Sequence, residues 1–125
     1  MVSPPSSFRQ RERANETPLD YEIAQEKAAA LGRLGRGLET ALAALAAFDA
    51  EPEAHAEDDH GQGERRAARA ALIEAAGHAL WLFLVQRDSC GLRDARAVMR
   101  DYRVPAEVQA RAGAFPPKQQ KRATP

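Results

Sequence analysis

Apolar residues recur at three- and four-residue steps from Leu19 through Ile23, Ala30, Leu34, Leu38, Ala41 and Leu45 to Phe48, and Leu31 and Leu42 widen the stripe. That spacing follows the 3.6-residue turn of an α-helix and predicts one long amphipathic helix with a single buried edge. Its start is marked locally. Thr17 suits the N-cap, Pro18 suits the first turn, and Asp20 stands three residues past the cap, where a carboxylate completes a capping box. About thirty residues make a rod of roughly 45 Å. Gly32, Gly35 and Gly37 fall inside it, each costing about 0.8–1 kcal/mol relative to alanine in a helix interior. The glycines therefore predict either a kink or the close approach of a neighbouring helix.

A second helix is predicted from about Glu64 to Asp88, with Leu72, Ala76, Ala79, Leu80 and Phe83 on the edge that faces the first. Between the two, DAEPEAHAEDDHGQGE carries seven carboxylates and no basic residue, broken by Pro52, Gly61 and Gly63. This composition reads as an exposed acidic loop over residues 49–63, closing an antiparallel hairpin. Trp81, Leu82 and Val85 point away from the first apolar edge at about 100° per residue and need a different cover. Two short helices, Leu92 to Tyr102 and Pro105 to Ala112, are placed to supply it, with Gly91 and Gly113 where C-terminal caps belong.

The expected fold is all-α: an antiparallel helical hairpin with two short C-terminal helices packed on it in a bundle-like arrangement. One helical domain spans residues 17–113. Residues 1–16, rich in Pro, Ser, Arg and Glu, read as a disordered arm. Residues 114–125 read as a disordered basic tail, with Phe115 able to fold back onto the core. β-branched residues are too sparse for any strand-like alternation.

Charge and cysteine content narrow the function classes. Lys plus Arg equals Asp plus Glu at 18 each, so the chain lacks the uniform positive field that draws proteins to phosphate backbones, and nucleic acid is not the expected partner. Cys90 is the sole cysteine, which excludes an intramolecular disulfide and a cysteine zinc site and fits a reducing, cytoplasmic setting. The opening MVSPPSSFRQRER has no hydrophobic segment of a secretory signal. The apolar run Ala79 to Val85 is seven residues against about 20 for a bilayer span. It reads as a buried helix segment, with no membrane partner expected.

Two segments, PLDYEIAQEKAAALGRLGR (18–36) and VQRDSCGLRDARAVMRDYRVP (85–105), resemble a family of short uncharacterised bacterial helical proteins, a domain of unknown function. The resemblance covers roughly residues 17–113 and implies no activity, cofactor or site residue.

Candidate chemistry is sparse. Residues 95–112 resemble a degenerate helix-turn-helix, in which the second helix would enter a major groove with Gln109 and Arg111 as base readers. Arg103 stands where glycine is usual in the turn, Val108 comes a residue early, and Glu107 would oppose phosphate. Glu22 and Glu26 on the first helix, and Glu74 and His78 on the second, have the residue types of ligands in a metal-binding bundle. Their spacing is four where di-iron sites use Glu and His three apart, twice, so i,i+4 surface pairing is the better reading. His55 and His60 in the acidic loop lack the ordered oxygen spacing of a calcium loop. Cys90 follows a helix C-terminus, whose dipole disfavours a thiolate. Lys27 falls on the core-facing stripe, where it either snorkels to the edge or pairs with Asp20.

No phosphate-cradling glycine loop and no Ser/His/Asp grouping can be assembled, so no catalytic, cofactor-binding or metal residue is assigned and no cofactor is expected. The expectation is a small non-catalytic protein-interaction or regulatory module with a protein partner or a homodimer, using Trp81, Leu82 and Val85 as the surface. A DNA-binding regulator and a small metal-binding helical protein are the alternatives.

Overall fold

A computed structural model of the chain describes residues 17–51 and 59–115. Four helices follow in order: α1 (Pro18–Ala50), α2 (Asp59–Ser89), α3 (Ala95–Asp101) and α4 (Ala106–Ala112), with no strand among the described residues. The all-α hairpin with two short C-terminal helices is thus the observed architecture. The expectations for residues 1–16 and for the tail beyond Phe115 lie outside the described residues.

α1 begins on the capping box read from the sequence. Thr17 Oγ1 accepts from the Asp20 N–H at 3.0 Å, and the Asp20 carboxylate accepts from the Thr17 N–H at 3.3 Å. The helix then runs 33 residues without interruption, about 50 Å, so its three glycines do not break it.

α2 runs antiparallel to α1. Near one end the Arg65 guanidinium lies over the Phe48 ring at 4.2 Å and donates to the Phe48 carbonyl at 3.0 Å. Near the other end the Gln86 side chain donates to the Lys27 carbonyl at 3.4 Å. The expected 49–63 loop is corrected by this arrangement: α1 continues through Asp49 and Ala50, and α2 begins at Asp59, taking Gly61 and Gly63 into helix. A glycine costs about 1 kcal/mol in a helix, and here the long amphipathic segment behind it sustains the added turn. His55 and Pro52 lie outside the described residues.

The core is one cluster in which all four helices take part. Leu38 and Leu45 of α1 meet Ala76, Leu80 and Phe83 of α2, Val98 of α3, and Val108 and Ala112 of α4, with Val104 between the last two. α2 ends in a Schellman turn: Gly91 takes φ +85°, the Leu92 N–H reaches the Arg87 carbonyl at 2.8 Å, and the Gly91 N–H reaches Asp88 at 3.0 Å. α3 starts later than Leu92, at Ala95 on an Asp94 cap. Its exit repeats the Schellman pattern with Arg103 in the glycine position at φ +52°, through Val104 N–H to Met99 O (3.0 Å) and Arg103 N–H to Arg100 O (3.2 Å). Gly113 is the C-cap of α4, as its position in the sequence suggests, and keeps a right-handed φ of −66°.

By length and composition α2 is apolar enough to cross a membrane, with an 18-residue window of mean hydropathy 1.4. The core helix of a packed hairpin has the same composition, and α2 supplies three of the buried core positions here, Ala76, Leu80 and Phe83.

Candidate functional site

The two sides of the hairpin differ. One is closed by α3 and α4, and glycine marks where they approach. A Cβ on Gly35 would lie 3.1 Å from Tyr102 Oη and 3.3 Å from Phe83 Cε1, and Phe83 and Tyr102 meet edge-to-face at 5.4 Å. A Cβ on Gly77 would lie 2.8 Å from Arg111 Cγ and 3.2 Å from the Ala112 backbone nitrogen. Both glycines are buried. Of the kink and close-approach readings, close approach applies at Gly35.

Ion pairs tie the same side together. Arg69 of α2 clasps two carboxylates, Asp49 at 2.7 and 3.1 Å and Glu107 at 2.8 Å on both its oxygens, which joins the C-terminus of α1 to the first turn of α4. Arg111 pairs with Glu74 through Nε and through Nη2, the latter at 2.9 Å, and lies over the Phe115 ring at 5.1 Å. Hydrogen bonds from Arg69 hold the Asp49 and Glu107 carboxyls below their ordinary values, and the bond from Arg111 does the same for Glu74. The two guanidiniums are correspondingly pushed up, Arg69 by Glu107 and then Asp49, Arg111 by Glu74.

These pairs define what α4 can present. Arg111 is engaged by Glu74, Glu107 is held by Arg69, and the Gln109 side chain donates to the Val104 carbonyl at 2.9 Å. The residues that would read bases in a helix-turn-helix instead fasten α4 to α2 and to its own turn. Glu74, a metal-ligand candidate with His78 on sequence grounds, is likewise spent on Arg111. Among the described residues no three of His, Cys, Asp and Glu gather as a metal site, and Glu22 and Glu26 are exposed on α1. His60 pairs with Glu64 at 3.1 Å.

Lys27 is exposed and not core-facing, because α2 has nearly ended at its level and leaves nothing to cover that edge. Cys90 is a half-buried free thiol in the turn after α2. Two hollows flank Tyr102. One of about 350 Å³ borders Gly32, Gly35 and Phe83, and one of about 440 Å³ borders Asp49, Arg69 and Glu107. The carboxylates in the second are held ionised by Arg69, so they do not serve as proton donors near neutrality.

The proposed surface residues divide between two environments. Trp81 is half-buried, its ring 5.9 Å from Phe115 and stacked on His78 at 6.3 Å. Phe115 therefore does fold back. Leu82 is half-buried and Val85 keeps 49% of its surface open. Further apolar exposure lies at Leu92 (46%) and along the start of α1, where Leu19 (63%), Tyr21 (62%) and Ile23 (46%) are open. Leu19 and Ile23 open the amphipathic stripe, whose periodicity places them in the core; α2 is too short to reach them.

Sequence reasoning missed Arg69 and Gly77. Arg69 offers no local signal, since its partners stand 20 and 38 residues away. Gly77 carried one, a glycine inside an otherwise continuous apolar helix.

Fold and contacts together define a small all-α protein, a helical hairpin with its C-terminal helices clasped onto one side. The chain belongs to a family of unknown function, DUF6665, whose model matches residues 8–120. No curated protein and no solved structure matches it.

Proposed function

We propose that this protein is a small non-catalytic protein-interaction or regulatory module that docks through the side of its hairpin left uncovered by α3 and α4. The observation that supports this is the contrast in how side chains are spent. On the covered side the charged groups of α4 are consumed by contacts within the chain, whereas Val85 on α2 and, past the end of α2, Leu19 and Ile23 on α1 remain open. Large apolar side chains left open to solvent are a usual mark of a protein-binding surface. A cytoplasmic setting goes with this reading, since the free thiol of Cys90 suits a reducing compartment.

A photo-crosslinking residue placed at Leu82 or Val85 in living cells is expected to give a protein adduct, while the same residue at exposed Arg96 on α3 gives none. Equal labelling at all three positions, or no adduct at Leu82 and Val85, overturns the proposal.

A further inference from the structure

Gly37 is two residues from Gly35, so at about 100° per residue it points to the opposite side of α1. A Cβ there would meet nothing within 4 Å among the described residues. Nothing in the described fold calls for glycine at that point, in a helix where it costs stability. Leu19 and Ile23, large and open, stand on the same long row. The row borders the core-facing stripe and runs 19, 23, 26, 30, 34, 37, 41, with steps of four, three, four, four, three, four; its Leu34 and Ala41 are half-buried and also pack against the chain's own core. That order reads the same in both directions about Ala30.

We infer that the occupant of this side is a second copy of the chain, with α1 crossing α1 antiparallel about a twofold axis at Ala30; the inference rests on the interaction-module reading above. In this register Leu19 lies across Ala41 of the other copy and Ile23 across Gly37, so large residues meet small ones at each end. Charge follows the same symmetry. Glu26 and Arg33, both exposed, are seven residues apart on one flank of the stripe, and reversing the direction of one helix sets Glu26 beside Arg33 of its mate twice over. Leu82 also falls in place. The pairings of Phe48 with Arg65 and of Lys27 with Gln86 put Leu82 about level with Leu31, next to the axis. A strip about 33 Å long and 15 Å wide on each copy buries roughly 1,000 Å² in total, at the low end of specific interfaces, which predicts association in the micromolar range.

Sedimentation velocity of the full chain from about 1 to 500 μM is expected to show a shift from monomer to dimer. Gly37→Leu keeps its helical circular dichroism, because the site is open in the monomer, and raises the dissociation constant at least about tenfold. Glu26→Arg and Arg33→Glu each weaken the dimer, and the two combined restore it to within about threefold of the parent. In a Cys90→Ser chain, Ala30→Cys forms an intermolecular disulfide under mild oxidation and Arg96→Cys does not. A monomer at every concentration overturns the inference, as do additive charge variants without rescue. If the chain stays monomeric while Leu82 still crosslinks to a different protein, or to residues 1–16 of the same chain, the second-copy inference fails. With the different protein the interaction-module reading survives; with the chain's own segment both fall.

Discussion

Gly35 and Gly37 belong to one helix and sit two residues apart, yet their surroundings are opposite. Gly35 is sealed under Tyr102 and Phe83, and Gly37 faces open space among the described residues. The same division runs along the whole hairpin. Its closed side holds the buried cluster, the Arg69 clasp and the Gly77 contact, while Val85 and, past the end of α2, Leu19 and Ile23 stay open. The difference teaches that a helix patterned for burial along its full length can have that pattern satisfied on one side within the chain and left for a partner on another.

Removing a core side chain from the closed side gives the largest effect. Leu80 is 0% exposed between α1 and α4, and Leu80→Ala is expected to cost about 2–5 kcal/mol in urea unfolding. Next comes the contrast between the glycines. Gly35→Ala forces Tyr102 and Phe83 to give way, at a cost of about 1–3 kcal/mol. Gly37→Ala, measured at a concentration where the chain is monomeric, stabilises by up to about 1 kcal/mol through helix propensity. Equal effects at the two positions would erase the distinction between the sides.

A smaller gain is expected at the α3–α4 turn. Arg103 holds φ +52°, a conformation that disfavours side chains with a Cβ, and Arg103→Gly is expected to stabilise by about 0.5–1 kcal/mol. The smallest effect comes from acid. The folded-state carboxyls of Asp49, Glu74 and Glu107 are depressed by their arginine partners from ordinary values of 3.8, 4.5 and 4.5. Their contribution is therefore fully present above those ordinary values and is lost as pH falls through the depressed folded values. The clasp on α4 should loosen below about pH 4, read as a change in Trp81 fluorescence as Phe115 moves away, before far-ultraviolet circular dichroism reports loss of α1 and α2.

Much of the fold was legible because its signals are local. The Thr17–Asp20 cap, the apolar period of both long helices and the Gly91 turn each arise within a few residues, and each appears in the structure where the pattern put it. Other features depend on residues far apart in the chain. Lys27 and Ile23 carry the periodicity of a core edge, but burial needs a facing helix, and α2 is in its last turn at Lys27 and does not reach past Ile23. Helix-turn-helix spacing was likewise visible at residues 95–112, whereas the engagement of Glu107 and Arg111 follows from where α2 presents Arg69 and Glu74.

The amino-acid order by itself determined that the described helices form, where α1 starts, where each of them stops to within two residues, and which edge of the long ones is apolar, because hydrogen bonding and capping act between residues three to five apart. Only the tertiary structure decided which apolar edges meet. The length of α2 relative to α1, and the docking of α4 at Gly77, fix one covered side and one open side, and that choice depends on how whole helices fit together in space.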